Sequence, residues 1–388
     1  MGRTVHPEMG PPENAVALMM RFAERTGLTS SREGRRYLWT DAFAVCNFLA
    51  LARATGDAHY AELALALVDR VHRTLGRHRP DDPRHGWISG LGEREGEVHP
   101  TRGGLRIGKP LPERSRSEPF DESLEWDRDG QYFHYLTKWM HALHQASRFS
   151  GRPELLAWAR ELARAARAAF CYGPPGHGRR MYWKMAIDLQ RPLVRSMGQH
   201  DPLDGYLTCL ELEKSRSKTA PDLRPEIADF ASMVLGLKLA TADPLGIGGL
   251  LTDAYRAEQL REKGTLHDGA LVDSLLRAAL VGLARYDHVS ERHALAEHRL
   301  AFRELGLTIG LRAAALLRGA RAGRPSSEAN AVLDAISGYD GLRAQIETFW
   351  LDPEQQRSSS WLEHQDINEV MLATSQLPGG LLRLDATG

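Results

Sequence analysis

A helical rhythm runs through almost the whole chain, and it constrains the fold more than any other feature. Apolar residues recur three and four positions apart, which is typical of amphipathic helices. Helices are predicted at 12–27, 38–54, 57–75, 129–150, 153–171, 201–216, 224–241, 248–262, 268–286, 293–319, 327–337, 341–350 and 363–376. Extended patterns occur only at 86–89, 104–108 and 180–189. A parallel α/β fold is therefore disfavoured.

Two helix junctions repeat each other. Residues 51–67 read LARATGDAHYAELALAL, and residues 146–162 read ASRFSGRPELLAWAREL. In each, one helix ends at a glycine, Gly56 or Gly151, and the next helix begins almost at once. Glycine tolerates the left-handed conformation that ends many helices, and so short a link forces an antiparallel hairpin. Helical hairpins cannot bury their apolar faces alone, so repeated hairpins stack or close on one another.

The predicted helices fall into two alternating kinds. One kind follows polar, aromatic-rich leads, at 38–43, 125–135, 198–206, 246–255 and 361–369, with the blander 306–317 as a sixth. The other kind is amphipathic and rich in Ala, Leu and Arg, at 12–27, 57–75, 153–171, 224–241, 268–286 and 327–337. Six inner and six outer helices in alternation predict an all-α (α/α)6 toroid. It consists of six helical hairpins with a few short strands in the loops at its mouth.

This toroid is expected to form a single domain over residues 1–388, because the rhythm continues from end to end. The segment 76–128 is rich in Gly, Pro, Arg and Glu and interrupts the rhythm. A loop that long inside a compact domain is usually functional. We therefore expect 76–128 to form a lid or rim over the mouth, with a small hairpin at 103–109.

The charge balance excludes two classes of partner. Lys plus Arg equals Asp plus Glu at 50 each, so the net charge is zero. Nucleic acids and anionic membrane surfaces attract proteins with a concentrated basic field, which this chain lacks. The sequence contains no run of about 18 apolar residues, the length that a membrane span requires. The three cysteines show no paired spacing, and the N-terminus contains no apolar signal segment. A soluble cytoplasmic protein is therefore expected.

The hairpin rhythm, the TGDAHYAELALAL junction and the motifs WTDAF and WDRDG at the starts of inner helices resemble the six-hairpin glycosidase-like group. The resemblance covers residues 12–377 and matches no single family. The group includes N-acylglucosamine 2-epimerase-type isomerases and unsaturated glucuronyl and rhamnogalacturonyl hydrolases. It implies a toroid that acts on carbohydrates, with catalytic carboxylates or histidines in the leads to the inner helices.

The lead at 125–135 carries the first candidate cluster. Asp127 or Asp129 is expected at a helix N-terminus, where the helix dipole stabilises a carboxylate. His134 follows one turn later, and Trp126 and Tyr132 offer flat faces to sugar rings. The competing interpretation is that Asp129 caps the helix and that the aromatic residues belong to the core.

The lead at 198–206 carries the second cluster. Asp201 before Pro202 is explained as a helix start, but His200 and Asp204 exceed what capping needs. The preceding segment is expected to cross the mouth as an extended piece. Its candidate ligand-binding residues are Trp183, Lys184 and Arg191.

Two further leads complete the candidate site. The lead at 361–369 contains Trp361, Glu363, His364 and Asp366, and buried charges of this kind need a partner or a function. A solvated helix end is the alternative. The lead at 38–43 adds Asp41 as a candidate acid or base and Trp39 as a candidate stacking residue.

Three functions follow from these clusters. Glycoside hydrolysis would use a carboxylic acid as proton donor and a second carboxylate as base or nucleophile, drawn from Asp41, Asp127, Asp129, Asp204 and Glu363. Sugar 2-epimerisation would use histidines, which titrate near neutral pH, drawn from His134, His200 and His364. The third is a toroid that binds a glycan or a protein without catalysis. We expect a small carbohydrate as partner and no metal or other cofactor; the sequence makes no prediction of oligomeric state.

Overall fold

A computed structural model describes residues 12–30, 34–176, 178–215, 220–289, 294–325 and 327–384. Its helices are α1 (Glu13–Arg25), α2 (Leu38–Thr55), α3 (Ala58–Leu75), α4 (Glu93–Val98), α5 (Glu122–Asp127), α6 (Phe133–Ser150), α7 (Pro153–Phe170), α8 (Asp201–Lys214), α9 (Arg224–Val234), α10 (Pro244–Glu262), α11 (Gly269–Val289), α12 (Ala301–Ala320), α13 (Glu328–Ser337), α14 (Asp340–Leu351), α15 (Ser359–Glu363), α16 (Gln365–Gln376) and α17 (Gly379–Leu382). The strands are β1 (Gln131–Tyr132), β2 (Cys171–Tyr172), β3 (Arg180–Met181), β4 (Lys184–Met185) and β5 (Pro192–Val194), and short 3-10 helices span Ala296–His298 and Gln355–Arg357.

Six helices close into an inner ring. In ring order they are α2, α6, α8, α10, α12 and α16, each packed against the next, and α16 packs against α2 to complete the circle. The outer helices α1, α3, α7, α9, α11 and α13 each pack against an inner helix. The predicted (α/α)6 toroid is confirmed, with the inner and outer helices assigned as expected.

The two repeated junctions form as predicted. Gly56 and Gly151 end α2 and α6 with φ angles of 71° and 73°, in the left-handed region that only glycine adopts without strain. The carboxylate of Asp57 then accepts a hydrogen bond from the amide of His59, and so caps α3. Pro153 begins α7, where its missing amide hydrogen costs nothing.

The hydrophobic core lies between the two rings. Side chains such as Phe48 on α2 and Leu67 on α3 are fully buried there, and burying each contributes about 1.5–3 kcal/mol. Two inner helices come into backbone contact at glycines: a Cβ on Gly310 of α12 would lie 2.5 Å from the Cα of Gly248 on α10. Gly248 at the start of α10 is therefore explained by helix packing.

The segment 76–128 packs onto the barrel. Leu105 and Ile107 are completely buried, and the Ile107 carbonyl accepts a hydrogen bond from the amide of Leu38 at the start of α2. The predicted hairpin at 103–109 is wrong. The amides of Arg106 and Ile107 donate to the carbonyls of Leu75 and Gly130, which lie outside this segment, instead of bonding across a hairpin within it. The short helices α4 and α5 in this segment were not predicted.

Two small antiparallel sheets lie beside the mouth. One has the order β1-β4-β5, and the other pairs β2 with β3. Only β3 and β4 fall within a predicted extended piece; 86–89 contributes a single bridge between Trp87 and Arg77. The register pairs Tyr132 with Lys184, so the 180–195 segment is held against the start of α6.

Several helix boundaries differ from the prediction. Helix α6 begins at Phe133 rather than at 129, because residues 131–132 pair as a strand, and α10 begins four residues before the predicted 248. Among the described helices, none is both long and apolar enough to cross a membrane.

Candidate active site

A cavity of about 950 Å³ opens at one end of the ring. All six inner helices contribute side chains to it, and the segments 108–110 and 126–127 form part of its rim. Twelve of the predicted site residues line this cavity: Trp39, Asp41, Trp126, Asp127, Tyr132, His134, Trp183, His200, Asp204, Glu363, His364 and Asp366. The polar leads therefore converge, as closure of the ring requires.

Asp129 and Lys184 lie outside the cavity lining. Asp129 is fully buried and accepts hydrogen bonds from Arg106 (2.5 Å) and from the amide of Gly108 (3.0 Å), so it fastens the rim to the barrel. Lys184 is also fully buried, and its Nζ lies 2.9 Å from Oε1 of Glu125. Both side chains have their charges paired inside the protein, and both therefore have structural roles.

Arg191 and Trp361 also lie outside the lining. Arg191 donates to the carbonyl of Arg114 and so ties the strand segment to the rim. Trp361 is 1% exposed and stacks on Trp350, with ring centroids 5.6 Å apart. Its ring belongs to the core because it packs against α14 rather than pointing into the cavity.

A cluster of four charged residues forms one part of the cavity wall; we call it the Arg256 cluster. Lys138 of α6 donates to Oδ1 of Asp204 on α8 at 2.7 Å. Nη1 of Arg256 lies 3.1 Å from Oδ1 of Asp253, one helical turn away on α10, and 4.0 Å from Oδ1 of Asp204. One guanidinium nitrogen thus faces two carboxylates.

The pKa values of the two carboxylates in this cluster are shifted in opposite directions. Burial alone would raise the pKa of Asp204, but the adjacent cations Lys138 and Arg256 hold that pKa below its ordinary value. Burial and the neighbouring charge of Asp204 raise the pKa of Asp253, and the attraction of Arg256 does not offset them. A pair of carboxyl groups whose environments separate their pKa values can supply one acid and one base.

Behind this cluster, Glu211 anchors the guanidinium. Its Oε2 accepts from Nη2 of Arg256 at 2.9 Å, and its Oε1 lies 2.9 Å from Nδ1 of His141 and 2.6 Å from Nδ1 of His144. Burial opposes ionisation of Glu211, yet these partners hold its pKa well below the ordinary value. Arg256 is therefore fixed by an ionised carboxylate on the side away from the cavity.

Asp41 lines another part of the wall, near the start of α2. Its Oδ2 accepts from the amide of Tyr37 (3.2 Å), and its Oδ1 lies 3.5 Å from Nη1 of Arg36. Burial raises the pKa of Asp41 to about 6, despite the opposing effect of Arg36. Nearby, Asp366 pairs with Arg25 at 2.6 Å.

Four rings form an aromatic wall on the α6 side of the cavity: Trp126, Tyr132, His134 and Trp183. Trp183 lies 4.9 Å from Tyr132 and 5.1 Å from Trp126, measured between ring centroids. The His134 ring is nearly parallel to both Tyr132 (26°) and Trp183 (15°). Flat aromatic faces of this kind can stack against the apolar faces of sugar rings.

The remaining predicted residues lie around the opening. Asp127 and Glu363 are exposed there. His200 is held by a hydrogen bond between its Nε2 and the carbonyl of Leu239 (2.8 Å). Burial lowers the pKa of His364, which lies edge-on to Phe302. Within the described residues, no group of three or more His, Cys, Asp or Glu side chains is arranged to hold a metal ion.

Sequence reasoning missed three of the four residues in the Arg256 cluster: Lys138, Asp253 and Arg256. The sequence carries a signal for two of them. Thr252-Asp253-Ala254 repeats Thr40-Asp41-Ala42, and both tripeptides place a buried aspartate on an inner helix. Arg256 follows Asp253 by three residues, the spacing at which opposite charges meet on a helix. Lys138 had no comparable signal, because its partner Asp204 lies on another helix.

The comparisons with known proteins show a similarity of fold and nothing more. No protein-family model matches the chain, and neither does any curated protein sequence. An inactive variant of an α-1,6-mannanase of Salegentibacter sp. HEL1_6, in complex with α-1,6-mannotriose, matches with a TM-score of 0.50 and 11% identity, over 96% of this chain and 99% of that chain. The match supports a toroid that extends over nearly the whole chain.

Two further solved structures match less well. Cellobiose 2-epimerase from Bacillus thermoamylovorans B4167 matches with a TM-score of 0.47 and 9% identity, over 87% of each chain. A structure in complex with the sugar chain dGlcA-Glc-Rha-Glc matches with a TM-score of 0.36 and 16% identity; the match covers 57% of this chain and about half (52%) of that chain.

Proposed function

We propose that this protein is a carbohydrate-active enzyme, a glycoside hydrolase that cleaves an oligosaccharide inside the cavity. Asp253 is the general acid and Asp204 is the base or nucleophile. The observation that carries this proposal is the pair of carboxyl groups in the Arg256 cluster. Their pKa values are displaced in opposite directions, so that Asp253 holds its proton to a higher pH than Asp204 does.

The proposed chemistry follows from that difference. Asp253 gives its proton to the glycosidic oxygen as the bond to the anomeric carbon breaks. Asp204 either takes a proton from the attacking water or attacks the anomeric carbon itself. Both Oδ1 atoms lie within 4.0 Å of Nη1 of Arg256, so the two are close enough to act on one bond. NMR of the first-formed anomer distinguishes the two routes.

The other lining residues support a sugar ligand. The aromatic wall gives stacking surfaces, and Asp41, Asp127, Glu363 and Asp366 give acceptors for hydroxyl groups around the opening. The inactive mannanase variant of similar fold is in complex with α-1,6-mannotriose, which is therefore the first substrate to test. A cytoplasmic location is part of the proposal, supported by three cysteines that form no disulfide.

A second candidate function is sugar 2-epimerisation. The observation in its favour is that His134, His200 and His364 all line the same cavity. His200 is less suited to proton transfer than the others, because its Nε2 is already engaged with the carbonyl of Leu239.

The test measures three outcomes with one set of proteins. Wild type, Asp204→Asn and the distant surface variant Asp334→Asn are incubated with α-1,6-mannotriose and other neutral oligosaccharides, and new reducing ends are measured. Hydrolysis predicts release by wild type and by Asp334→Asn, with a loss of about two to four powers of ten in Asp204→Asn. Equal rates in all three proteins contradict the proposed pair.

The same proteins are incubated with free mannose, glucose, N-acetylglucosamine and cellobiose in deuterium oxide. Deuterium at C2 without release of reducing ends supports the epimerase. Sugar binding with neither reaction contradicts both enzyme proposals and supports a binding toroid.

A further inference from the structure

Five described residues that line the cavity have a buried side-chain atom without a hydrogen-bond partner: Arg36, His134, Asp201, Arg256 and Arg303. Two of these atoms, Oδ2 of Asp201 and Nδ1 of His134, belong to side chains that face each other. Nδ1 of His134 lies 3.6 Å from Oδ1 of Asp201, so the two unpaired atoms belong to neighbouring groups. Buried polar atoms without partners are rare and need an explanation. Both residues line the cavity, so both groups adjoin the space that a bound molecule would fill.

Capping does not account for Asp201. The residue is the first of α8 and is 5% exposed, but α8 has no side-chain cap hydrogen bond. Pro202 follows it and has no amide hydrogen to donate. The carboxylate is thus free to serve the cavity, unlike Asp57 and Asp243, which accept from backbone amides at their own helix starts.

Gly198 makes room for this carboxylate. A Cβ at position 198 would lie 2.5 Å from Cγ and from both carboxylate oxygens of Asp201. On the other side, the His134 ring is held parallel to Tyr132 and Trp183 in the aromatic wall. The positions of both groups are therefore set by the surrounding structure.

We propose that Asp201 and His134 form a subsite for sugar hydroxyl groups, next to the Arg256 cluster. A hydroxyl donates its hydrogen to Oδ2 of Asp201, and a hydroxyl oxygen accepts from Nδ1 of His134 when that nitrogen carries hydrogen. The adjacent aromatic faces pack against the same sugar ring. This subsite rests on the proposed function and deepens it, because it names neutral polyhydroxylated ligands and the groups that orient them.

The proposed subsite adjoins Asp204, the proposed base. His134 is one of the groups whose charge acts on Asp204, so a ring held at this subsite lies beside the proposed base. Asp201 and His134 are positioning residues in this proposal: they transfer no proton, and they fix the sugar so that its anomeric carbon faces Asp204.

The test is calorimetric binding of α-1,6-mannotriose and of a panel of neutral disaccharides to four variants. Asp201→Asn removes the charge at constant size. His134→Phe keeps the stacking ring but removes Nδ1. Gly198→Ala displaces the Asp201 carboxylate without changing it. Asp334→Asn, on the exposed face of α13, is the matched control.

We expect the three subsite variants to bind at least tenfold more weakly than wild type, with the control unchanged. Asp201→Asn should retain or exceed the melting temperature of wild type, because it replaces an ionisable group that has an unpaired buried oxygen. A structural role would instead lower the melting temperature and leave the affinity of the folded protein unchanged. Monodeoxy sugars that lack the bound hydroxyl should lose affinity for wild type but not for Asp201→Asn.

The outcomes separate this subsite from the proposed function. If sugars bind wild type and the three variants equally, the subsite is overturned while the hydrolase proposal stands. If no sugar in the panel binds wild type, both are overturned. Weaker binding that is confined to the three variants and absent from the control supports the subsite.

Discussion

The tripeptide Thr-Asp-Ala occurs on α2 and again on α10, and the two copies of its aspartate have different surroundings. Asp41 lies three residues into α2, beside Arg36. Asp253 lies nine residues into α10, about 14 Å along the helix axis, where Arg256 and the carboxylate of Asp204 adjoin it. Burial raises both pKa values. The difference is that only Asp253 has a second cavity-lining carboxylate, held ionised, within reach of the same cation.

Both copies of the motif lie on an inner helix and have their carboxyl group buried. The charged residues around each copy differ, and they determine what the carboxyl group can do chemically. Among the described ion pairs, Asp41 has a single cation, Arg36, at 3.5 Å. Asp253 belongs to a group in which each charge depends on the others.

The largest expected difference is in activity. Asp253→Asn should lower kcat for oligosaccharide hydrolysis by about three powers of ten, because the proton donor is lost. Asp41→Asn should lower it by less than about tenfold, the effect of losing one contact to a hydroxyl group. Both are measured by release of reducing ends under saturating substrate. Equal losses at the two positions would show that the motif, and not its neighbours, determines the role.

The second difference is in stability. Arg256→Met should lower the free energy of unfolding by about 3–5 kcal/mol, because Glu211, Asp204 and Asp253 are left without their shared cation. Arg36→Met should cost about 1 kcal/mol, since Arg36 mainly donates to the carbonyl of Thr26 and its acidic neighbour can be neutral. Urea unfolding at pH 7 measures both; a larger loss for Arg36→Met would contradict the comparison.

The third test uses pH to isolate Asp41. Its pKa is about 6 in the folded protein against an ordinary value of 3.8, so the folded state binds the proton more tightly than the unfolded state. Wild type therefore loses stability as pH rises from 3.8 to about 6, by about 3 kcal/mol in total, and no further above that range. Asp41→Asn lacks this loss. The difference between the two unfolding free energies should change in favour of the variant over that range. A difference that stays constant from about pH 3.5 to about pH 7 would show that folding does not shift the pKa of Asp41.

The smallest expected effect concerns the aromatic wall. Trp183→Ala should raise KM by about two- to tenfold and leave kcat within about twofold, because stacking contributes about 0.5–1.5 kcal/mol to binding and transfers no proton. Trp158→Phe, on the outer helix α7, is the matched control and should change neither constant. A loss confined to kcat in Trp183→Ala would mean that the wall acts on the reacting groups.

The ring could be predicted from the sequence because its determinants are local. Gly56 and Gly151 end helices, Pro153 begins one, and the apolar spacing marks the faces that pack. Convergence of the polar leads then followed from closure. The boundary error at α6 arose because residues 131–132 pair as a strand, which is a tertiary effect. The start of α10 has a local signal that was missed: Asp243 caps the helix and Pro244 is its first residue.

The individual site residues were harder to predict because charge pairing is not local. Asp129 looks like a helix cap in sequence, yet Arg106, 23 residues earlier, binds it. Lys184 was expected to contact a ligand, but Glu125 and backbone carbonyls surround its ammonium group. Asp253 lies in the lead at 246–255, but Asp204, the carboxylate that shares its cation, lies on another helix. Each depends on side chains that only the closed ring brings together.

The most direct test is a crystal structure of Asp204→Asn with an intact oligosaccharide in the cavity. The expected result is a glycosidic oxygen about 3 Å from a carboxyl oxygen of Asp253, with the substituted residue 204 facing the anomeric carbon. A sugar bound away from both residues, or inner helices that do not close into a ring, would contradict the proposed active site.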